Sequence, residues 1–440
     1  MEITEEKTSA QNGVENDYVL PRRFPLDNAA TIYPAARTNT YACTYRICFI
    51  MKEDVDPDIL RQAAKDIIPR FPTFFAQLRA GLFWYYFEQT SDNDIVVEEP
   101  YYPCYRLKLL DSDKPAFRII YYKRRLGVEV FHALGDGSSS INMLKTLVAR
   151  YLTLKGENIP DDGSFPSLDD KPTEDEHADM FQRVYEKRLG KPEKETSSYQ
   201  YKAKTIPNYF QAVHGIVPVS DIKAVSKPMG ITLTEFLVAN LLYAIYLNDP
   251  ENRKEIKVSV PINLRPIFGV ESLRNFSLFT NVGFVPKDGE TTFDDIVASI
   301  KGKIKENAQR ENMKKAVSRN VGSARNPLLR FTPNVIKRPL LKACYHLAGQ
   351  SKFMCSLTNL GICEMPQEML DHIDRMEVLL GGAPKETLAC AVTCLNDMLN
   401  ISFTGTTKEV SIQKNFFRLL SSNGIRVRVE SSNKESWEDK

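Results

Sequence analysis

Val128-Glu129-Val130-Phe131-His132-Ala133-Leu134-Gly135-Asp136-Gly137 decides how this chain is read. A short β-type run delivers a histidine, an Asp-Gly turn follows, and Ser138 to Ser140 lead into an amphipathic pattern from Ile141 to Leu152 that predicts a helix. His132 stands where a strand stops and the backbone turns, a place from which a rigid support displays a side chain to a cleft.

Working outward, Phe117 to Tyr122 and the turn Lys123 to Arg125 form a hairpin with that run. A second hairpin is predicted from Phe74 to Leu78 and Leu82 to Phe87, joined by Arg79-Ala80-Gly81. Thr44 to Ile50 alternates like a strand. Asp56-Pro57 then opens a helix with the aspartate as N-cap, and Ile59, Leu60, Ala63, Ala64, Ile67 and Ile68 form its apolar stripe. Residues 18–155 therefore read as one mixed α/β domain, and the polar, acidic residues 1–17 as a frayed terminus. From 156 to 209 proline, glycine and charged residues dominate, which predicts a linker with His177 solvated in its acidic part and a helix only from Met180 to Arg188.

The second domain, 210–440, opens with a strand from Ala212 to Val219. Thr232 and Glu235 form a capping box for a helix that ends at Asn248. Ile256, Val258, Val260 and Ile262 alternate as a strand running into Arg265. Thr280-Asn281-Val282-Gly283 and Thr358-Asn359-Leu360-Gly361 echo each other, and between them lie an amphipathic helix from Phe293 to about Glu311 and a basic helical stretch from Ala316 to Leu347. The fold class is α/β (α+β), and 440 residues exceed what one core organises, so two domains are expected.

The overall charge gives no lead to a partner. With 58 basic against 56 acidic residues the net charge is +2, and nothing global steers the chain to nucleic acid or an anionic membrane. No apolar stretch reaches the roughly 18 residues of a membrane span, and the first residues lack the apolar core of a signal peptide, so a soluble, cytoplasmic protein is expected. Cys355, Cys363, Cys390 and Cys394 could be imagined as a metal site. Their apolar neighbours favour buried free thiols instead, and no metal is expected.

A histidine with an unperturbed pKa of about 6.5 takes and returns a proton near neutrality, which suits general-base work on a hydroxyl or amine. Asp136 invites a His-Asp pair. Four residues on and inside a turn, it is more economically a structural anchor for an arginine or for backbone amides. Ser138 to Ser140 read as caps for the following helix, and no serine or cysteine stands in a nucleophile elbow.

His132-Ala133-Leu134-Gly135-Asp136-Gly137 resembles the HxxxDG signature of the coenzyme A-dependent acyltransferase superfamily, which includes chloramphenicol acetyltransferase, plant BAHD acyltransferases, peptide-synthetase condensation domains and alcohol acetyltransferases. Phe24-Pro25-Leu26-Asp27-Asn28-Ala29-Ala30, Arg70-Phe71-Pro72-Thr73-Phe74, Gly81-Leu82-Phe83-Trp84-Tyr85-Tyr86 and Pro261-Ile262-Asn263-Leu264-Arg265 look like the bacterial alcohol acetyltransferase-like branch. The DFGWG box of the BAHD enzymes is absent. The resemblance implies two pseudo-symmetric domains, each a mixed sheet with helices, and a tunnel between them that passes His132. It implies acyl-coenzyme A as co-substrate with no permanently bound cofactor, a small alcohol or amine as acceptor, and His132 as general base. It further implies that Arg265 pairs with Asp136, that Gly137 lets the chain turn, and that Thr280, Asn281, Thr358 and Asn359 are candidates for oxyanion or substrate contacts.

Three readings follow: acyl transfer from acyl-coenzyme A to an alcohol, acyl transfer or condensation from an acyl carrier protein, and a non-catalytic binding module. The basic stretch Arg325 to Lys342 is the feature that points to a carrier.

Overall fold

The computed structural model describes residues 18–38, 41–91, 94–99, 102–110, 112–187, 189, 195–206, 209–344, 349–381 and 387–432. The terminus expected to fray, residues 1–17, lies outside them, as do residues 345–347 of the expected basic helical stretch.

Two large sheets carry the molecule. The first has the strand order Ile373–Leu380, Thr44–Met51, Arg125–Phe131, Phe117–Tyr122, Val96–Glu98. The second has the order Ser277–Phe284, Ile256–Asn263, Cys355–Ile362, Leu388–Leu395, Met398–Gly405, Gln211–Pro218, Arg428–Ser431. A small sheet of Arg23–Pro25, Tyr85–Gln89 and Ala76–Ala80 stands beside the first. Each large sheet buries one apolar face under helices. In the first half Leu60, Ala63 and Ala64 of the helix Pro57–Asp66 and Met143, Leu144, Leu147 and Val148 of Gly137–Leu154 meet Ile47, Phe49, Val128 and Val130. In the second half the helix Leu233–Asn248 is apolar nearly all round, so it is buried between the sheet and the helices Phe293–Ile300 and Ser411–Ser422.

Local signals are realised where they were read. Asp56 accepts from the amides of Asp58 and Ile59 at the start of Pro57–Asp66, and Thr232 and Glu235 form the reciprocal capping box. Other expectations change. The hairpin strands lie two to three residues later than predicted, at Ala76–Ala80 and Tyr85–Gln89. The helix after His132 begins at Gly137 rather than Ile141, because Asp136 is its N-cap and the three serines form its first turn. The single helix expected from Phe293 to Glu311 is broken, since Gly302 takes a φ of 76° and gives its N–H to Glu235 Oε1 at 2.6 Å.

One strand crosses the expected division at residue 210. Ile373–Leu380 leaves the second half and pairs antiparallel with Thr44–Met51, setting Met376 opposite Phe49 and Val378 opposite Ile47 in the first core. Much of the 156–209 segment is likewise fixed rather than free. Arg70 makes two bonds to Glu176 at 2.6 and 2.9 Å, and Thr173 and Glu176 close a capping box, which draws the acidic stretch inward. His177, expected to be solvated, is buried against Tyr18 with ring centroids 5.2 Å apart, and burial pushes its pKa down to about 4. Cys43, Cys48, Cys104, Cys355, Cys363, Cys390 and Cys394 are buried thiols that form no disulfide among the described residues.

Candidate active site

His132 follows directly on the strand Arg125–Phe131, and its backbone N–H donates to Cys43 O at 2.9 Å, so the sheet ladder runs up to the residue itself. The turn after it is held from beneath by Tyr45, whose hydroxyl lies 2.9 Å from the carbonyls of Gly135 and Asp136 and 2.7 Å from Ser140 Oγ. The half-buried imidazole is stacked on Tyr33 (centroids 4.4 Å, 14° between planes) and meets Tyr45 edge-on at 5.0 Å. Two aromatic rings and a fixed turn leave it little rotational freedom.

Asn275 sets the tautomer. Its Nδ2 donates to Asp27 Oδ2 at 3.0 Å and towards Ala133 O at 3.4 Å, which leaves its Oδ1 facing His132 Nδ1 at 3.2 Å. An acceptor at that point keeps the proton on Nδ1 and leaves the lone pair on Nε2. Asp27 is fully buried, accepts the amides of Ala30 and Asn275, and faces Arg274 at 3.6 Å. Burial outweighs these donors and raises its pKa. For His132, burial is again the largest influence and lowers the pKa, against the opposing pull of its own carbonyl, Asp136, Asn275 and Asp27. The ring is therefore neutral at pH 7.

Asp136 faces away from this relay. Its carboxylate accepts two bonds from Arg265, at 2.9 and 3.0 Å, together with the amides of Phe276 and Ser139 and the hydroxyl of Ser139. Burial would raise its pKa, but the guanidinium and these donors hold it below the ordinary carboxylate range. Arg265 is fixed in turn, donating to the carbonyls of Ser272 and Arg274 at 2.8 and 2.6 Å. The pair bolts the histidine turn of the first half to the second. Gly137 sits at the same junction, since a Cβ there would come within 2.9 Å of Leu360 on the strand Cys355–Ile362.

The structure thus brings His132, Asp136, Gly137 and Arg265 together. The side chains of Thr280, Asn281 and Asn359 engage partners within the second half or its approach: Thr280 accepts from Asn307 at 2.6 Å, Asn281 donates to Glu195 at 2.7 Å, and Asn359 donates to Thr234 at 2.9 Å. Thr358 lies two residues before Leu360, which touches the motif. Sequence reasoning missed Asn275, Asp27, Tyr33 and Tyr45. Asp27 was in view only as one residue of a longer stretch, and its contact with Asn275 spans 248 residues, which no local pattern encodes.

No protein-family model matches this chain, and no curated protein matches it. Solved structures do. The chain is similar to F. sporotrichioides TRI101 complexed with coenzyme A and T-2 (TM-score 0.64, 9% identity, 92% of this chain and 99% of that one). It is similar to the wax ester synthase/diacylglycerol acyltransferase of Marinobacter aquaeolei VT8 (TM-score 0.53, 14% identity, 91% and 100%) and to the epimerization domain of tyrocidine synthetase B (TM-score 0.56, 12% identity, 93% and 97%). These likenesses show the fold: the chain has the chloramphenicol acetyltransferase-like fold that the HxxxDG resemblance implied, over nearly its whole length. Acyltransferases and peptide-synthetase domains share that fold, so its chemistry has to be argued from the site.

Proposed function

We propose that this protein is an O-acyltransferase that moves an acyl group, acetyl in the simplest case, from acyl-coenzyme A to an alcohol. The observation that carries the reading is the pinned imidazole, with Nδ1–H committed to Asn275 and Nε2 left free on a ring that burial keeps neutral. Nε2 takes the proton of the acceptor hydroxyl as its oxygen attacks the thioester carbonyl. A tetrahedral oxyanion forms, the C–S bond breaks, and the departing thiolate takes the proton from Nε2. An ester and free coenzyme A result, with the imidazole restored.

The oxyanion needs a donor. Thr280 is one candidate, since its oxygen accepts from Asn307 and its own proton remains available. Thr358, near the Leu360 contact, is the second, and Asn281 and Asn359 rank below them because one N–H of each amide is already committed, to Glu195 and Thr234, and fixes its direction. In this reading Asp136, Arg265 and Gly137 position the histidine, and a cytoplasmic setting would supply the acyl-coenzyme A.

The test mixes purified protein with acetyl-coenzyme A and a panel of alcohols and follows free thiol. Alcohol-dependent release by wild type that His132→Ala loses supports the reading; equal, slow release by both removes it. A parallel arm with an acylated carrier protein separates the second donor class: turnover there alone would move the proposal to a condensation-type enzyme.

A further inference from the structure

We propose that the face built from the helices Pro327–Phe331 and Asn334–Cys344 and the hairpin tip Gly81–Trp84 docks on an anionic lipid bilayer. Leu82, Leu328, Phe331, Val335, Ile336 and Leu340 all project from it into solvent, with Val335 87% and Leu328 82% exposed. So many large apolar side chains on one face of a water-facing surface mark an interaction site.

The face is held rigidly from behind. Asn334 donates its backbone N–H to Leu82 O at 2.8 Å and its side-chain amide to Gly81 O at 2.9 Å. Lys337, on the inner side of the same helix, is fully buried, with Nζ 2.7 Å from Phe83 O and over the Trp84 ring. Phe83 and Phe331 meet edge-to-face at 6.4 Å. The helix therefore spends its inner side on the hairpin and keeps its apolar outer side for something else.

Charge selects the occupant. Residues 312–344 hold eight Lys or Arg and no Asp or Glu, in a chain whose totals nearly cancel. Arg330, Arg338 and Lys342 are exposed around the apolar residues and have no carboxylate partner among the described residues. Exposed apolar side chains interspersed with long cationic ones on the same two helices suit a surface that is apolar inside and anionic at its boundary. A second copy fits worse, because a two-fold interface would set this positive face against itself. An acidic carrier protein would satisfy the charge and leave the exposed apolar side chains unexplained.

The helix Asn334–Cys344 packs against Tyr33–Ala36, which carries the tyrosine stacked on His132. A docked bilayer would thus lie one helix away from the imidazole. On the acyl-transfer reading, on which this consequence alone rests, the acceptor is an apolar alcohol dissolved in lipid.

The experiment is co-sedimentation of the full chain with phosphatidylcholine vesicles, with and without one quarter phosphatidylglycerol. Binding to the anionic vesicles only, weakened on the order of fivefold per basic residue in Arg330→Gln and Arg338→Gln, supports the proposal. So does loss of binding in Phe331→Glu/Ile336→Glu with the melting temperature unchanged. Three results overturn it: no binding to either vesicle, equal binding by every variant, or a patch-dependent complex with a purified acidic carrier protein or a second copy in place of vesicle binding. Because no turnover is measured, vesicle binding stands or falls separately from the acyl-transfer assay.

Discussion

Arg265→Met tests the bolt between the halves. The substitution keeps most of the aliphatic stem and removes the charge from a carboxylate that is 4% exposed. Asp136 would retain three donors, the amides of Phe276 and Ser139 and the Ser139 hydroxyl, so it loses its counter-charge without losing all its solvation. The carbonyls of Ser272 and Arg274 lose a donor each. Breaking one side of a buried pair costs about 3–5 kcal/mol, and the surviving donors place the expected loss near the lower end, about 3 kcal/mol at pH 7. The pH dependence carries the diagnosis. In wild type the folded pKa of Asp136 is depressed, so its stabilisation is present above the unfolded value of about 3.9 and lost as pH falls through the folded pKa. Without Arg265 the carboxyl pKa rises, and protonation relieves the buried charge. The gap between variant and wild type should therefore shrink from pH 7 towards pH 4.5. Urea unfolding at the two pH values measures it. A loss under about 1 kcal/mol at pH 7, or one that is the same at both pH values, would refute the argument, since a mere packing defect has no reason to titrate.

Three further outcomes are expected. The acid limb of kcat/KM for thiol release should lie below pH 6.5, because burial lowers the His132 pKa and the proposed reaction uses the neutral ring as base; a limb above 6.5 would contradict that. Asn275→Leu removes a contact that raises the His132 pKa, so the limb should move to lower pH while activity falls about tenfold or more through loss of the fixed tautomer; an unmoved limb would make Asn275 merely structural. Burial pushes Lys337 down to about 8, so the unfolded chain binds more protons between about pH 8 and 10.5 and wild-type stability should rise across that window. Lys337→Met should flatten the rise in thermal melts.

What was legible in the sequence was local. Asp56-Pro57, the Thr232/Glu235 box and the strand-turn-helix around His132 are encoded within a few residues of where they act, and each stands in the structure. Contacts between distant segments were not. Nothing near Ile373 announces that its partner is Met51 rather than a neighbouring strand of the second sheet, and nothing near Asn275 announces Asp27 or His132. His177 was misjudged because composition describes the average of a segment, whereas one buried bond pair, Arg70 with Glu176, decided where this one went. Gly302 shows the same limit in reverse, since an apolar period continued across the extended Lys301 and left-handed Gly302 that separate two helices.

The strand Ile373–Leu380 also sets a timetable for synthesis. Thr44–Met51 leaves the ribosome with one edge awaiting a partner encoded about 330 residues later, a wait on the order of 16–66 s at ordinary elongation rates. During that interval the strand neighbouring the histidine strand is an unpaired edge on an apolar sheet, open to the wrong pairing. A fragment ending near residue 210 would keep that edge for good, so the nascent first half should depend on chaperones until the later strand arrives and completes the sheet.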